Sequence, residues 1–484
     1  MRKGLVYLST IFAIMCLGLA GCGDSANSTN SVGMVLTIQD ATTTGLSVLS
    51  FDVQVTNVTL TGTSGTSDAV LLSNPVTVNL VNLMTGGALL ANTSAPAGTY
   101  SGLKITFASP QLVVLNSTGG TLTGGTTTCP STTTTTSPCL LSPTLTTSTV
   151  TITSAPFPLT LVKGSPVHVA VDFNSSNSIT NAAGTVTINP TVTVTTSTAL
   201  NAKTNNIADF ANETGTVTNV GNNQVVVTDM STGQSLTLVS NSSTKYTGFN
   251  TSSTCATANT IGCVAPGQFV NFGFGVSGTA GAMPVLENIS LNNGVANGVT
   301  GTVVGINAAT NQFDVLVTSE TPGFASQNPS FSVGHVVVVN LASGATFSAQ
   351  TNGVTLPSGL TFSNFSNIGI GQTVLLNSTA FTAGTGSNPG TLTANSVVLE
   401  PSQFTGTVGT INSANQSFTM TGLNGLFTLN TIPLVTVDTL SGTTFIGVPG
   451  FTSLAPGQTT TTAGLVFVTP SGLVVVGTQI VGNM

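Results

Sequence analysis

The chain contains no tryptophan, only two histidines and three tyrosines, and six basic residues against thirteen acids. Each shortage excludes something. Nucleic-acid binding needs a basic surface that releases counterions from phosphate, and a formal charge of −7 offers none. Two histidines leave the many serines without obvious general bases. So few tyrosines, and no tryptophan, argue against an aromatic platform for stacking on sugar rings. Charged residues make up 4% of the chain, far below the roughly 25% of an ordinary soluble domain. Polarity comes instead from Thr, Ser, Asn and Gly, which favour strands and turns and compete with the backbone inside helices. With 40% hydrophobic residues the composition is not that of a disordered chain. The expectation is an all-β protein, long enough for three or four domains with cores of their own.

Two cations, Arg2 and Lys3, precede an apolar run from Gly4 to Ala20, which ends in Leu19-Ala20-Gly21-Cys22. This layout predicts a lipoprotein signal peptide over 1–21, with Cys22 the lipidated first residue of the mature chain. The run is short for a membrane span of about 20 residues. Residues 22–32 follow as a polar tether. Only four lysines remain past the leader, so the lipid on Cys22, rather than attraction to anionic headgroups, would hold the protein at the membrane. The expected location is therefore the cell envelope, after export.

Cys16 leaves with the leader, and the other four cysteines fall into close pairs, Cys129/Cys139 and Cys255/Cys263. Three connectivities are open to four cysteines, and local bridging is favoured because each pair bounds a short polar loop. Such a bridge stabilises by roughly 2–3 kcal/mol at most. Zinc fits poorly: the spacings exceed a C-x₂₋₄-C clip and no histidine accompanies either pair. No metal and no cofactor is expected.

From Gly33 the pattern alternates. Phe51, Val53 and Val55 interleave with Asp52, Gln54 and Thr56, and the same period recurs at Val167/Val169/Val171/Phe173. A Thr/Ser-rich insertion between Gly119 and Pro143 carries the first cysteine pair and reads as a long surface loop. The stretches from Gly33 to Ala41 (GMVLTIQDA), Asn79 to Leu83, Gly87 to Ala91, Pro96 to Tyr100, Val171 to Asn174 and Ile188 to Pro190 together resemble the bacterial domain-of-unknown-function family 4382. Thr42 stands where that family often has proline. The resemblance implies a β-sandwich-like domain over 33–200 and carries no established chemistry.

After a segment at 201–213 that reads as a linker, the chain repeats itself. Gly215-Thr-Val, Gly301-Thr-Val and Gly406-Thr-Val each open a strand, followed by an Asn-rich turn and a second strand. Each copy later carries a Gly-Gln step, at Gly267-Gln268, Gly371-Gln372 and Gly457-Gln458. Copies starting 86 and 105 residues apart are too long for a solenoid and suit small independent β-barrels. The expected units are 214–294, 298–401 and 403–484. They resemble the domain-of-unknown-function family 5666, with Val225 where the other copies have Phe313 and Phe418, residues expected in the barrel cores.

Candidate chemistry is thin. His168 and Asp172 share a strand face, but four residues of strand separate them by roughly 13 Å, so a solvated face is the expectation. His335 lacks a nearby acid and reads as a strand-surface residue. Asp172-x-Asn174-x-Ser176-x-Ser178 imitates a calcium loop but has Asn177 and Ala183 where glycine and glutamate belong, which points to a polar turn. Asp40, Asp52 and Asp68 could meet as paired carboxylates, though nothing in their spacing requires it. No catalytic or phosphate-binding motif is present. The sequence therefore points to a noncatalytic, lipid-anchored envelope protein, a modular β array for spacing, adhesion or ligand binding, with a glycan or an envelope protein as partner. The alternative is a polysaccharide hydrolase using two carboxylates. A membrane barrel is disfavoured by the scarcity of aromatics for girdles.

Overall fold

The computed structural model describes residues 30–482, apart from 42–45, 84–86, 117–119, 130–137, 202–203, 230–231, 250–254, 256–259, 292–297, 329–330, 332–333, 352–353 and 385–389. The leader and Cys22 lie outside the described residues. The protein is all-β, in an N-terminal domain of three sheets followed by three small barrels. No helix among the described residues is long and apolar enough to cross a membrane.

In the N-terminal domain a four-stranded sheet is built around Ser31–Ala41, which runs parallel to Val167–Asn174 and antiparallel to Ala88–Pro96. A seven-stranded sheet is built around the long pair Ser47–Gly62 and Gly98–Leu115. The two face each other: Phe173 of the first meets Phe51 and Phe107 of the second edge-on, at 5.5 and 5.4 Å between centroids. The alternation read from the sequence is the inward face of these strands, since Phe51, Val53, Val55, Val167, Val169 and Val171 are all buried. A third sheet, with Thr185–Ile188 among its strands, adds Leu122, Val186 and Ile188 to the same core. The Cys129–Cys139 bridge lies here and the Cys255–Cys263 bridge in the first barrel, each with Cα atoms 5.8 Å apart, so both local pairs are joined.

The second and third repeats are closed five-stranded barrels; the first is a six-stranded sheet in which Ser235–Val239 also pairs with Val285–Leu291, curling it into a barrel. In the second repeat Gly298–Asn307 pairs with Gln312–Glu320 and Thr373–Thr382, and Val336–Ala349 runs parallel to Gly390–Glu400, closing the barrel. The third has the same order, from Ser402–Asn412 to Gly472–Gly482. In the first the third strand is broken into Ser235–Val239 and Lys245–Thr247, both parallel to Val285–Leu291. Its first strand starts at Ala208, inside the segment read as a linker, because Phe210 stacks on Phe274 at 4.6 Å and draws residues 208–213 into the sheet.

The repeated motifs have physical causes. A Cβ on Gly301 would lie 2.2 Å from the Leu316 carbonyl oxygen, and one on Gly406 2.5 Å from the Met420 side chain, so the strand pair closes only over glycine. The Gly-Gln step is a turn whose glycine has φ near +85° (Gly267, Gly371 and Gly457 at 87, 84 and 87°), a region costly for other residues. The glycine N–H donates to Val217, Val303 or Val408 of the first strand. The glutamine Oε1 accepts from the backbone N–H three residues earlier, at Ala265, Gly369 and Ala455. Phe313, Phe418 and Val225 are all buried, in the barrel cores.

The domains pack on one another. Val35 and Leu89 of the N-terminal domain join the core of the first barrel, and Gln234 Nε2 donates to the Leu89 carbonyl at 2.9 Å. Phe269 of the first barrel meets Leu375 and Val398 of the second. Leu49 and Val113 from the N-terminal domain, with Leu426 and Phe467 from the third barrel, complete the core around the second. Gly425 of the third barrel lies against Ser47.

Candidate functional site

The four domains surround one cavity of about 800 Å³. Five of the chain's thirteen acids line it: Asp52, Glu213, Asp229, Glu320 and Glu400. No lysine, arginine or histidine lines it, and the rest of the wall is mostly Thr, Ser, Asn and Gln.

Asp52 comes from the outward face of Ser47–Gly62, between its cross-strand partners Asn79 and Gln111. Burial raises its carboxyl from 3.8 to about 6. Glu213 lies within the first strand of the first barrel, Ala208–Gly221, and Asp229 ends the second; Gly215 pairs with Asp229 in register. Burial raises the Glu213 carboxyl well above its ordinary value, and the Asp229 charge raises it further. Asp229 also accepts from Thr232 Oγ1 at 2.6 Å. Glu320 ends the second strand of the second barrel and is likewise raised by burial. Glu400 ends the last strand of that barrel and is buried.

The first barrel differs from its copies at this end. In the second and third, a short helix after the second strand, Pro322–Gln327 or Gly425–Leu429, brings in a buried phenylalanine, Phe324 or Phe427. Phe427 packs edge-on against Phe404 at 5.5 Å. In the first, only five residues separate Asp229 from the next strand, Ser235–Val239, too few for that helix. Counted from the Gly-Thr-Val glycine, Glu213 occupies the position of Val299 and Phe404, both buried. An acid thus stands where its counterparts are core residues, a signal legible by aligning the three copies. Asp229, Glu320 and Glu400 end strands far apart in sequence, so no spacing marks them.

Of the earlier candidates, only Asp52 faces this cavity. Asp40 accepts from the Ser175 N–H and hydroxyl at 3.1 and 2.7 Å, and Asp68 accepts from the Gly62 N–H at 2.9 Å, so the three acids have separate surroundings. His168 is half-buried rather than on an open face: Thr37 Oγ1 lies 2.9 Å from its Nε2 across the parallel pair, and burial lowers its pKa. Neighbouring Val35 packs into the first barrel, which covers this part of the sheet. Asp172 has Thr193 as its hydrogen-bond partner. Asn174 caps a helical turn over Ser175–Ser178 by accepting from the Asn177 N–H, so the calcium-like stretch is a capped turn. His335 is exposed. Elsewhere Asp209 and Glu287 form a surface carboxyl pair, both accepting from Asn206; burial, then the Asp209 charge and hydrogen bond, raise the Glu287 pKa against the Asn206 bond. No group of three or more potential metal ligands occurs among the described residues.

Residues 33–190 match the domain of unknown function DUF4382. That DUF4382 match covers the three-sheet domain up to, but not including, its last strand, Val192–Ser197. No curated protein and no solved structure matches the chain.

Proposed function

We propose that this is a noncatalytic ligand-binding protein of the cell envelope, exported and anchored through a lipid on Cys22, with the cavity between its domains as the binding site. The observation that carries the reading is convergence: all four domains contribute to one cavity, of a size that holds small-molecule ligands. A chain of independent spacers has no reason to direct its scarce acids to one place. The three barrels fit as copies of one module, resembling the domain-of-unknown-function family 5666. The hydrolase alternative is weaker. Of Asp40, Asp52 and Asp68 only Asp52 faces the cavity, and the other two bond to Ser175 and to the Gly62 N–H, so the expected carboxylates are not paired there.

The test is a panel of saccharides, amines and short peptides offered to the full chain in detergent, reading melting temperature and product release in the same wells. Saturable stabilisation without product supports the reading. Product release supports the hydrolase, and silence across the panel supports a spacer.

A further inference from the structure

Three buried side-chain oxygens without hydrogen-bond partners belong to cavity-lining residues: Thr300 Oγ1, Glu320 Oε2 and Gln403 Oε1. Thr300 is 8% exposed and stands on the outer face of its strand, between the core residues Val299 and Val303. Two of these three atoms, a carboxylate oxygen and an amide oxygen, can only accept. Orphaned buried acceptors are costly, and the natural partner is a ligand that donates. Donors alone would admit a sugar as readily as an amine. Charge decides between them: five carboxyl groups line the wall with no cation among them. Acidic groups with no cation among them favour a positive ligand and disfavour an anion. The aromatic residues that line the cavity, Phe404 and Phe427, are buried against each other and present no open ring for a pyranose.

We infer that the cavity takes an organic cation carrying several N–H donors, of the linear polyamine class, with Glu320, Gln403 and Thr300 receiving its ammonium groups. The inference rests on the binding-protein reading above and names the ligand class of the same cavity. The long axis of a polyamine suits a cavity whose acids are spread over several domains, where no three are grouped to hold a metal ion.

The experiment is calorimetric titration of the full chain in detergent with spermidine, with sorbitol and glucose as neutral comparators. Because the whole protein is acidic, site binding must be separated from loose surface attraction. Glu320→Gln and Thr300→Val probe the cavity, and Asp438→Asn removes an acid from a strand of the third barrel away from it. The expected result is one spermidine per chain, weakened at least tenfold by Glu320→Gln and several-fold by Thr300→Val, and unchanged by Asp438→Asn. Melting curves establish that each variant is folded, and Thr300→Val keeps the test open should Glu320→Gln fail to fold. Binding of a neutral sugar with cavity-variant sensitivity, and none of spermidine, overturns the cation while leaving the binding-protein reading in place. Spermidine binding at many weak sites, indifferent to the cavity variants, overturns the inference, as does no binding of any probe, which removes support for the cavity as well.

Discussion

Replacing Asp52 by asparagine should stabilise the protein at neutral pH. Burial raises this carboxyl from 3.8 to about 6, and at 1.36 kcal/mol for each tenfold change in proton affinity the ionised form costs the folded state about 3 kcal/mol. The sign follows from proton binding. A carboxyl that holds its proton more tightly folded than unfolded contributes its full stability below 3.8 and loses it as pH rises through about 6. Asp52→Asn is neutral at every pH and nearly the same shape, so it should gain up to about 3 kcal/mol over the natural protein at pH 7.5 and almost nothing at pH 4. Four domains need not unfold in one step. The readout is therefore amide exchange along Ser47–Gly62 in increasing urea, which follows the domain that holds residue 52. A variant that is neutral or less stable at pH 7.5, or that gains equally at pH 4, would refute the reasoning. A carboxylate kept where it lowers stability fits a binding site better than a scaffold.

Other outcomes follow from the packing. Gly301→Ala places a methyl against the Leu316 carbonyl and should cost about 1–3 kcal/mol or more in chemical denaturation. Phe427→Ala, which removes the ring packed on Phe404, should cost about 3–5 kcal/mol and open the third barrel to a hydrophobic dye. Serine at Cys255 and Cys263 should lower the stability of the first barrel by at most about 2–3 kcal/mol, seen as a reduced urea midpoint. Cys22→Ser should abolish incorporation of labelled fatty acid and release the chain from the membrane fraction.

Much of the fold was legible because strand alternation and turn chemistry are local. Phe51, Val53 and Val55 announce a buried face, and Gly215, Gly301 and Gly406 mark tight strand crossings that repeat with the barrels. The start of the first barrel at Ala208 was not legible, because Phe210 finds Phe274 only across the sheet. His168 was misjudged for the same reason: its strand shows one polar face, and only the neighbouring barrel covers it. The cavity was the least visible feature. Its acids come from Asp52 to Glu400 and meet through domain packing, which leaves no spacing to read. Glu213 is the exception, since an acid at a position held by Val299 and Phe404 in its copies breaks the repeat.

The most direct test of the central claim, that one cavity shared by four domains is where this protein acts, is hydrogen exchange of the full chain with and without saturating spermidine, or whichever panel ligand binds. The account predicts simultaneous protection around Asp52, Glu213, Glu320 and Gln403, one segment from each domain. Protection confined to the loops of a single domain, with those four segments unchanged, would contradict it.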